Sequence, residues 1–212
     1  AHGGEIKLGA PVKSIAHNGA GWVLETPLDS YQAKLIVNAS GAWVDEIAKL
    51  AGLDPLGFTP LRRSMARIPA PGGHNVSSWP MFFGVGESWY AKPDAGSLIV
   101  SPAEEDPMPP MDAWADDMVL AEGLARYEEL VTEPVTRIEA NWAGLRTFSP
   151  DRALTIGFHT DVPDFFWHAG QGGYGFQTAP AASQLAADLI LGRASELDAQ
   201  TRTALSPERF CS

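Results

Sequence analysis

The chain has 212 residues, of which 45% are hydrophobic, enough to form one large domain or two small ones around a sizeable core. Its formal net charge of -11 disfavours nonspecific binding to nucleic acid, yet an anionic substrate stays open because a few placed arginines govern a pocket whatever the total. No apolar run has the length of a membrane span, the start Ala1-His2-Gly3-Gly4-Glu5 lacks both parts of a signal peptide, and the single cysteine, Cys211, excludes an intramolecular disulfide, so a cytoplasmic protein is expected.

In chain order, Val12 to Ala16, Trp22 to Thr26 and Ser30 to Ala33 read as short strands of a β-meander, with Asn18-Gly19-Ala20-Gly21 as the first turn. Lys34-Leu35-Ile36-Val37-Asn38 follows as a strand that is apolar enough to suggest a parallel sheet covered on both faces. Ala39-Ser40-Gly41-Ala42 then turns into a helix carrying Trp43, Ile47, Leu50 and Ala51 at helical spacing, with Gly52 as its stop. From Asp54 onward, frequent prolines separate β-like runs at Leu61 to Ile68, Met81 to Val85 and Ser97 to Ser101, which predicts a mostly antiparallel sheet. Met111 to Val131 is amphipathic, with Trp114, Met118, Leu124, Tyr127 and Val131 placed to face that sheet. Arg137 to Trp142, Leu154 to Phe158 and Phe165 to Ala169 return as strands, and Ala179 to Leu191 closes the chain's organised part as a helix. No internal repeat is evident.

The segment Gly170-Gln171-Gly172-Gly173-Tyr174-Gly175-Phe176-Gln177-Thr178-Ala179-Pro180 meets the pattern G-x-G-x-x-G between a strand and a helix. A dinucleotide fingerprint opens a βαβ unit and needs a further parallel strand, whereas only a short polar tail follows this helix. The segment is therefore not read as a pyrophosphate cradle. It remains a glycine-rich loop feeding a helix N-terminus, able to set backbone N–H groups and a positive dipole end against an electron-rich ligand.

Three separated motifs, Ile36-Val37-Asn38-Ala39-Ser40-Gly41-Ala42-Trp43, Trp142-Ala143-Gly144-Leu145-Arg146 and Gly170 to Pro180, together resemble the FAD-dependent amino-acid oxidoreductases of the D-amino-acid oxidase family. That family includes glycine oxidase, sarcosine oxidase and D-amino-acid dehydrogenases, and the order and spacing of the motifs agree with it over nearly the whole chain. The resemblance implies a mixed α/β and α+β fold. An incomplete FAD-binding domain, formed by residues 1–54 and 146–212, would combine the β-meander, a parallel strand and helices. Residues 55–145 would form an antiparallel-sheet substrate domain with helices on one face. Family members begin with a strand, a true G-x-G-x-x-G turn and a helix for the FAD pyrophosphate, and nothing in residues 1–212 matches that opening, so the chain is expected to be the C-terminal part of such an enzyme.

By the same resemblance, Arg146 grips a substrate carboxylate and the Tyr90 hydroxyl assists it. A guanidinium independently suits the first role, since it presents a planar two-donor fork and stays charged at any working pH. An ion pair accounts for an arginine taken alone, and packing at a strand edge accounts for Tyr90 almost as well. Gly172, Gly173, Gly175, Phe176 and Gln177 correspond to the loop against the flavin ring, and Pro180 to the first turn of the helix behind it. Ala39, Gly41 and Ala42, with Asn38 before them, correspond to the turn under the adenosine side, and Val12 to a backbone position against adenine. A tight structural turn explains either loop nearly as well, and strand packing is the preferred account of Val12. The family's glycine oxidase has an arginine where this chain has Gly173, so substrate preference does not transfer from it.

His159 and His168 are not assigned a general-base role, and Asp151 with Arg152 is expected to pair locally or to fix the loop after Arg146. No metal-ligand spacing is present, and Cys211 is not read as a nucleophile. The implied cofactor is FAD. The implied partners are a small amino-acid or amine-carboxylate substrate and an N-terminal FAD-binding segment or partner subunit. A non-catalytic binding or assembly subunit of a heteromeric dehydrogenase is the alternative.

Overall fold

Short strands bracketed by glycine, asparagine and aspartate turns build the first sheet, in which β1 (Ser14–His17), β2 (Trp22–Glu25) and β3 (Ser30–Ala33) run antiparallel in that order. Gly21 is fixed by packing: a Cβ there would lie 2.6 Å from the Ala33 carbonyl oxygen. The computed structural model describes residues 3–210; the readings of Ala1, His2 and Cys211 lie outside the described residues. The chain divides into two units, one running to Thr59 and resuming at Thr147, the other spanning Pro60–Arg146.

In the first unit, β4 (Ile36–Asn38) lies parallel to β12 (Phe165–Ala169), which pairs antiparallel with β11 (Thr155–Phe158), giving the order β11-β12-β4. Ile36 and Asn38 are buried but Val37 is 45% exposed, so β4 is covered on one face only, not on both as its composition suggests. After it, a 3₁₀ turn (Gly41–Trp43) leads into α1 (Val44–Leu50). The buried stripe of α1 is Val44 and Ala48, while Trp43 and Leu50 point outward, because the 3₁₀ turn shifts the helix phase. Gly52, at φ 77°, ends the helix in a Schellman arrangement: its N–H donates to the Lys49 carbonyl and that of Leu53 to the Ala48 carbonyl. Phe165, Trp167, Ile36, Val44 and Trp22 form one core cluster.

The second unit is built on a sheet ordered β10-β5-β8-β7-β6, from β5 (Thr59–Ile68), β6 (Phe82–Phe83), β7 (Tyr90–Asp94), β8 (Ser97–Ser101) and β10 (Ala140–Phe148), with the short β9 (Asp106–Pro107) also on β5. Strand β8 pairs antiparallel with β5 and β7 and is buried along its whole length. Its cover is α2 (Asp117–Glu128), whose Leu120, Leu124 and Tyr127 pack with Ala66, Ile68, Leu98 and Val100. Burial of each such leucine contributes about 2 kcal/mol. Trp114 and Met118 do not face the sheet as their spacing predicts; both are exposed, because α2 starts only where the Asp116 carboxylate caps the N–H groups of Met118 and Val119.

The first unit is closed by α3 (Gly175–Ile190), α4 (Ala199–Leu205) and a 3₁₀ turn at Pro207–Phe210. That last turn is pinned by Arg209, which donates to both carboxylate oxygens of Asp151, at 2.7 and 3.2 Å, and to the Ala153 and Leu154 carbonyls. The hydrogen bonds from Arg209, with help from Ala153 and Ser149, hold the Asp151 carboxyl well down, at about 2. A depressed carboxyl stabilises the fold above its ordinary value of 3.8 and loses that contribution as pH falls towards 2. In Asp151→Asn the C-terminal turn is expected to exchange amide hydrogens faster at neutral pH, and acid treatment across this window to have less further effect on it, as hydrogen exchange will show.

Candidate functional site

In the first unit, β4 and β12 run parallel, with Ile36 opposite Phe165 and Asn38 opposite Trp167. The loops that follow them therefore leave the same end of the sheet, and the carboxyl ends of adjacent parallel strands are where open α/β sheets take their ligands. After β4 come Ala39, Ser40, Gly41 (φ 59°) and Ala42. Asn38 shapes this turn from below: buried, it donates from Nδ2 to the Val44 carbonyl at 2.9 Å and accepts at Oδ1 from the Ser40 hydroxyl at 2.7 Å. After β12 come Gly170 (φ 75°), Gln171, Gly172 (φ 51°), Gly173 and Tyr174. The Gly172 N–H donates to the Thr147 carbonyl, and a Cβ on Gly172 would stand 2.3 Å from the Phe148 ring. Packing against Phe148 thus accounts for glycine at this position.

The helix behind the second loop begins at Gly175, not at Ala179, so Pro180 stands inside α3 and not in its first turn. The earlier start brings the positive end of the helix up to the glycines. Where Asp116 caps α2 and Asp198 caps α4, the N-cap of α3 is Tyr174, whose side chain makes no capping bond, and the first turn carries no acid. Those first-turn N–H groups and the dipole end suit an electron-rich ligand. Gln177 is exposed, Tyr174 is half-exposed and Phe176 is fully exposed, so two aromatic rings stand at the loop outside the core. Val12 lies ahead of β1 and outside any strand, where it is partly buried against the core cluster of Ile15, Trp22 and Ile36.

In the second unit, Arg146 ends the unit on β10 and Tyr90 opens β7, with β5 and β8 between those strands. Arg63 on β5 links them. Its guanidinium lies 5.6 Å from the centre of the Tyr90 ring, and its Nη2 is 3.6 Å from Glu105 Oε1, the oxygen that accepts from Arg146 Nη2 at 2.9 Å. Burial pushes the Arg146 pKa down and the neighbouring Arg63 charge pushes it further, while the Glu105 carboxylate opposes both. The Tyr90 hydroxyl donates to Met65 Sδ at 3.5 Å. Arg63 and Glu105 are functional candidates that sequence reasoning missed; their only signals are the pair Arg62-Arg63 and the acidic run Glu104-Glu105-Asp106. A surface hollow in this unit, lined by Ile68, Gly72, Tyr127, Glu133 and Pro134, contains neither Arg146 nor Tyr90.

The remaining side chains have other employments. Asp151 fixes the loop after Arg146 by accepting from the Ser149 hydroxyl and the Ala153 N–H, and it pairs with Arg209; Arg152 has φ 64° and stacks 3.9 Å from the Phe148 ring centre. His159 stacks on Trp167, and burial lowers the His168 pKa. Among the described residues, no group of three or more His, Cys, Asp or Glu side chains is placed to hold a metal ion, and no helix is long and apolar enough to cross a membrane.

Comparison with known proteins gives a match of residues 1–189 to the family described as FAD dependent oxidoreductase (DAO). The chain is 27% identical over 219 residues to mitochondrial dimethylglycine dehydrogenase of Homo sapiens, covering 89% of this chain and 24% of that protein. It is 27% identical over 194 residues to glycine oxidase of Geobacillus kaustophilus, covering 88% of this chain and 48% of that enzyme. Among solved structures, L-proline dehydrogenase from P. horikoshii superposes with a TM-score of 0.76 at 22% identity, over 95% of this chain and 54% of the other, a likeness of fold. The chain thus spans from about a quarter to about half the length of these relatives.

Proposed function

The chain belongs to the FAD dependent oxidoreductase (DAO) family, and we propose that it supplies part of an enzyme oxidising a small amino acid or N-substituted amine carboxylate. FAD held by this chain and a partner segment would supply the acceptor for the hydride lost from the carbon beside the amine. In this reading residues 1–54 and 146–212 carry the cofactor side and residues 55–145 the substrate side. The turn at Ala39, Gly41 and Ala42 serves the adenosine portion, and the loop of Gly172, Gly173, Gly175, Phe176 and Gln177 serves the flavin.

The observation that carries this reading is the pair of turns at one end of the parallel strands β4 and β12, the second of them feeding an uncapped helix N-terminus. First-turn N–H groups there favour negative charge on a ligand and so raise the electron affinity of a flavin held against them. Arg146 anchors the substrate carboxylate through its two-donor fork, and Tyr90 assists by closing the substrate pocket. Orientation and exclusion of water, more than a protein base, are what these residues offer the reaction.

FAD affinity is spread over phosphate, ribityl and ring contacts, so the chain by itself is expected to hold the cofactor weakly and to show little activity. A second reading, an assembly module without catalysis, draws on the exposed apolar side chains Val37, Trp43 and Phe176 of the first unit. Supplying a polypeptide that carries a strand, a G-x-G-x-x-G turn and a helix separates the two. The enzyme reading expects the purified assembly to be yellow and to bleach anaerobically with glycine or an N-methylated amino acid. A colourless assembly, or a colour that no amino acid bleaches, supports the module.

A further inference from the structure

The carboxylate seat of Arg146 is already taken by a carboxylate of the same chain. Glu105 Oε1 accepts from Arg146 Nη2 at 2.9 Å and lies 3.6 Å from Arg63 Nη2. Next to it, Arg62 donates to Asp106 Oδ2 at 2.7 Å and stands 3.9 Å from Glu104, whose Oε1 accepts the Ser64 N–H and whose carbonyl accepts from Arg63 Nε. Among the described residues, the three arginines and three acids of this cluster carry formal charges that sum to zero. The cations are held: the Arg63 and Arg146 side chains are 13% and 19% exposed. Glu105 is the more solvent-exposed member of its pair at 37%, so it is the member that an incoming carboxylate meets first.

A bare carboxylate that displaced Glu105 would leave the cluster with one excess negative charge in a partly buried place. An amino acid in its zwitterionic form would not. Its carboxylate takes the guanidinium fork, the displaced Glu105 accepts from its ammonium group, and the sum returns to zero. We propose that Glu105 is a specificity-determining residue which makes this site select zwitterionic amino acids over simple carboxylates. The proposal rests on Arg146 as the carboxylate anchor, and it names the ionic form of the ligand that the anchor takes.

Titration of the 212-residue chain with glycine and with acetate, followed by NMR, tests it without any cofactor. The chain is expected to bind glycine at least about ten-fold more tightly than acetate, one well-made charged hydrogen bond being enough for that ratio. In Glu105→Gln the preference is lost, chiefly because acetate gains affinity, whereas Glu105→Asp, which keeps the charge, retains it. Arg146→Met binds neither ligand. Equal affinities in the unaltered chain, no binding of either ligand, or a glycine preference that survives Glu105→Gln each overturns the proposal. If Arg146→Met abolishes binding while Glu105→Gln leaves the ratio unchanged, the anchor stands and only the role of Glu105 falls. Undiminished binding by Arg146→Met removes the anchor itself, and the proposal with it.

Discussion

Replacing Arg146 with methionine is expected to lower kcat/KM of the flavin-loaded enzyme by about three orders of magnitude, since two charge-assisted hydrogen bonds to a carboxylate contribute roughly 4 kcal/mol between them. The loss should appear mainly in KM if the fork holds ground state and transition state alike, and in kcat if it also sets the angle of approach. Lysine is a poor substitute, as a point charge cannot reproduce a planar pair of donors. Arg146→Lys should therefore recover only a small part of the deficit. Steady-state kinetics on the three proteins, with the bound flavin absorbance as a check on folding, decides the matter. An Arg146→Met enzyme with unaltered KM and kcat would remove the residue from the substrate site.

The second large effect is one of stability. A methyl group on Gly172 would stand 2.3 to 2.9 Å from three atoms of the Phe148 ring, at a φ of 51° that side chains rarely adopt. Overpacking and backbone strain each cost about 1 to 3 kcal/mol, so Gly172→Ala is expected to destabilise the first unit by roughly 4 kcal/mol and to lower its melting temperature by about 10 °C. Gly41→Ala is the natural control. Gly41 has a similar φ of 59° but nothing within 4 Å of the added methyl, so strain alone, about 1 kcal/mol, should be felt there. Thermal melts that rank Gly41→Ala as the more damaging change would mean that Phe148 does not set the shape of the glycine loop.

Much of the strand layout was legible in the sequence wherever turn residues bracket a β-rich run. Ser97–Ser101 lies between Gly96 and Pro102 and Phe165–Ala169 between Asp164 and Gly170, and Ser30–Ala33 begins directly after Asp29. Helix phase was less legible. Trp114, Met118 and Trp43 fit an apolar stripe on paper, but α2 begins at its Asp116 cap and α1 begins after a 3₁₀ turn, which leaves those side chains outside the buried face. The start of α3 was hidden because glycine and an aromatic are weak helix formers, and tertiary packing of Ala182 and Leu185 against Ile156 and Phe166 overrides that weakness.

The candidate site was legible to the extent that motifs carry local geometry. Both turns at the ends of β4 and β12 come from contiguous segments, and their convergence follows once those strands pair in parallel. The cluster around Arg146 was not readable in this way. Arg63 reaches it only because β5 lies beside β10 in the sheet, and Glu105 only because the chain leaving β8 returns to β5 through β9. Neither adjacency is written in local propensity; both are products of the sheet's register.

The central claim, that the two turns at the carboxyl ends of β4 and β12 hold FAD, the first at its adenosine portion and the second at its flavin, is tested most directly by amide hydrogen exchange on the FAD-loaded protein and on the same protein stripped of FAD. Slower exchange in the loaded form is predicted at residues 39–42 and 172–177 together. Protection at other segments that leaves both of these unchanged would contradict it.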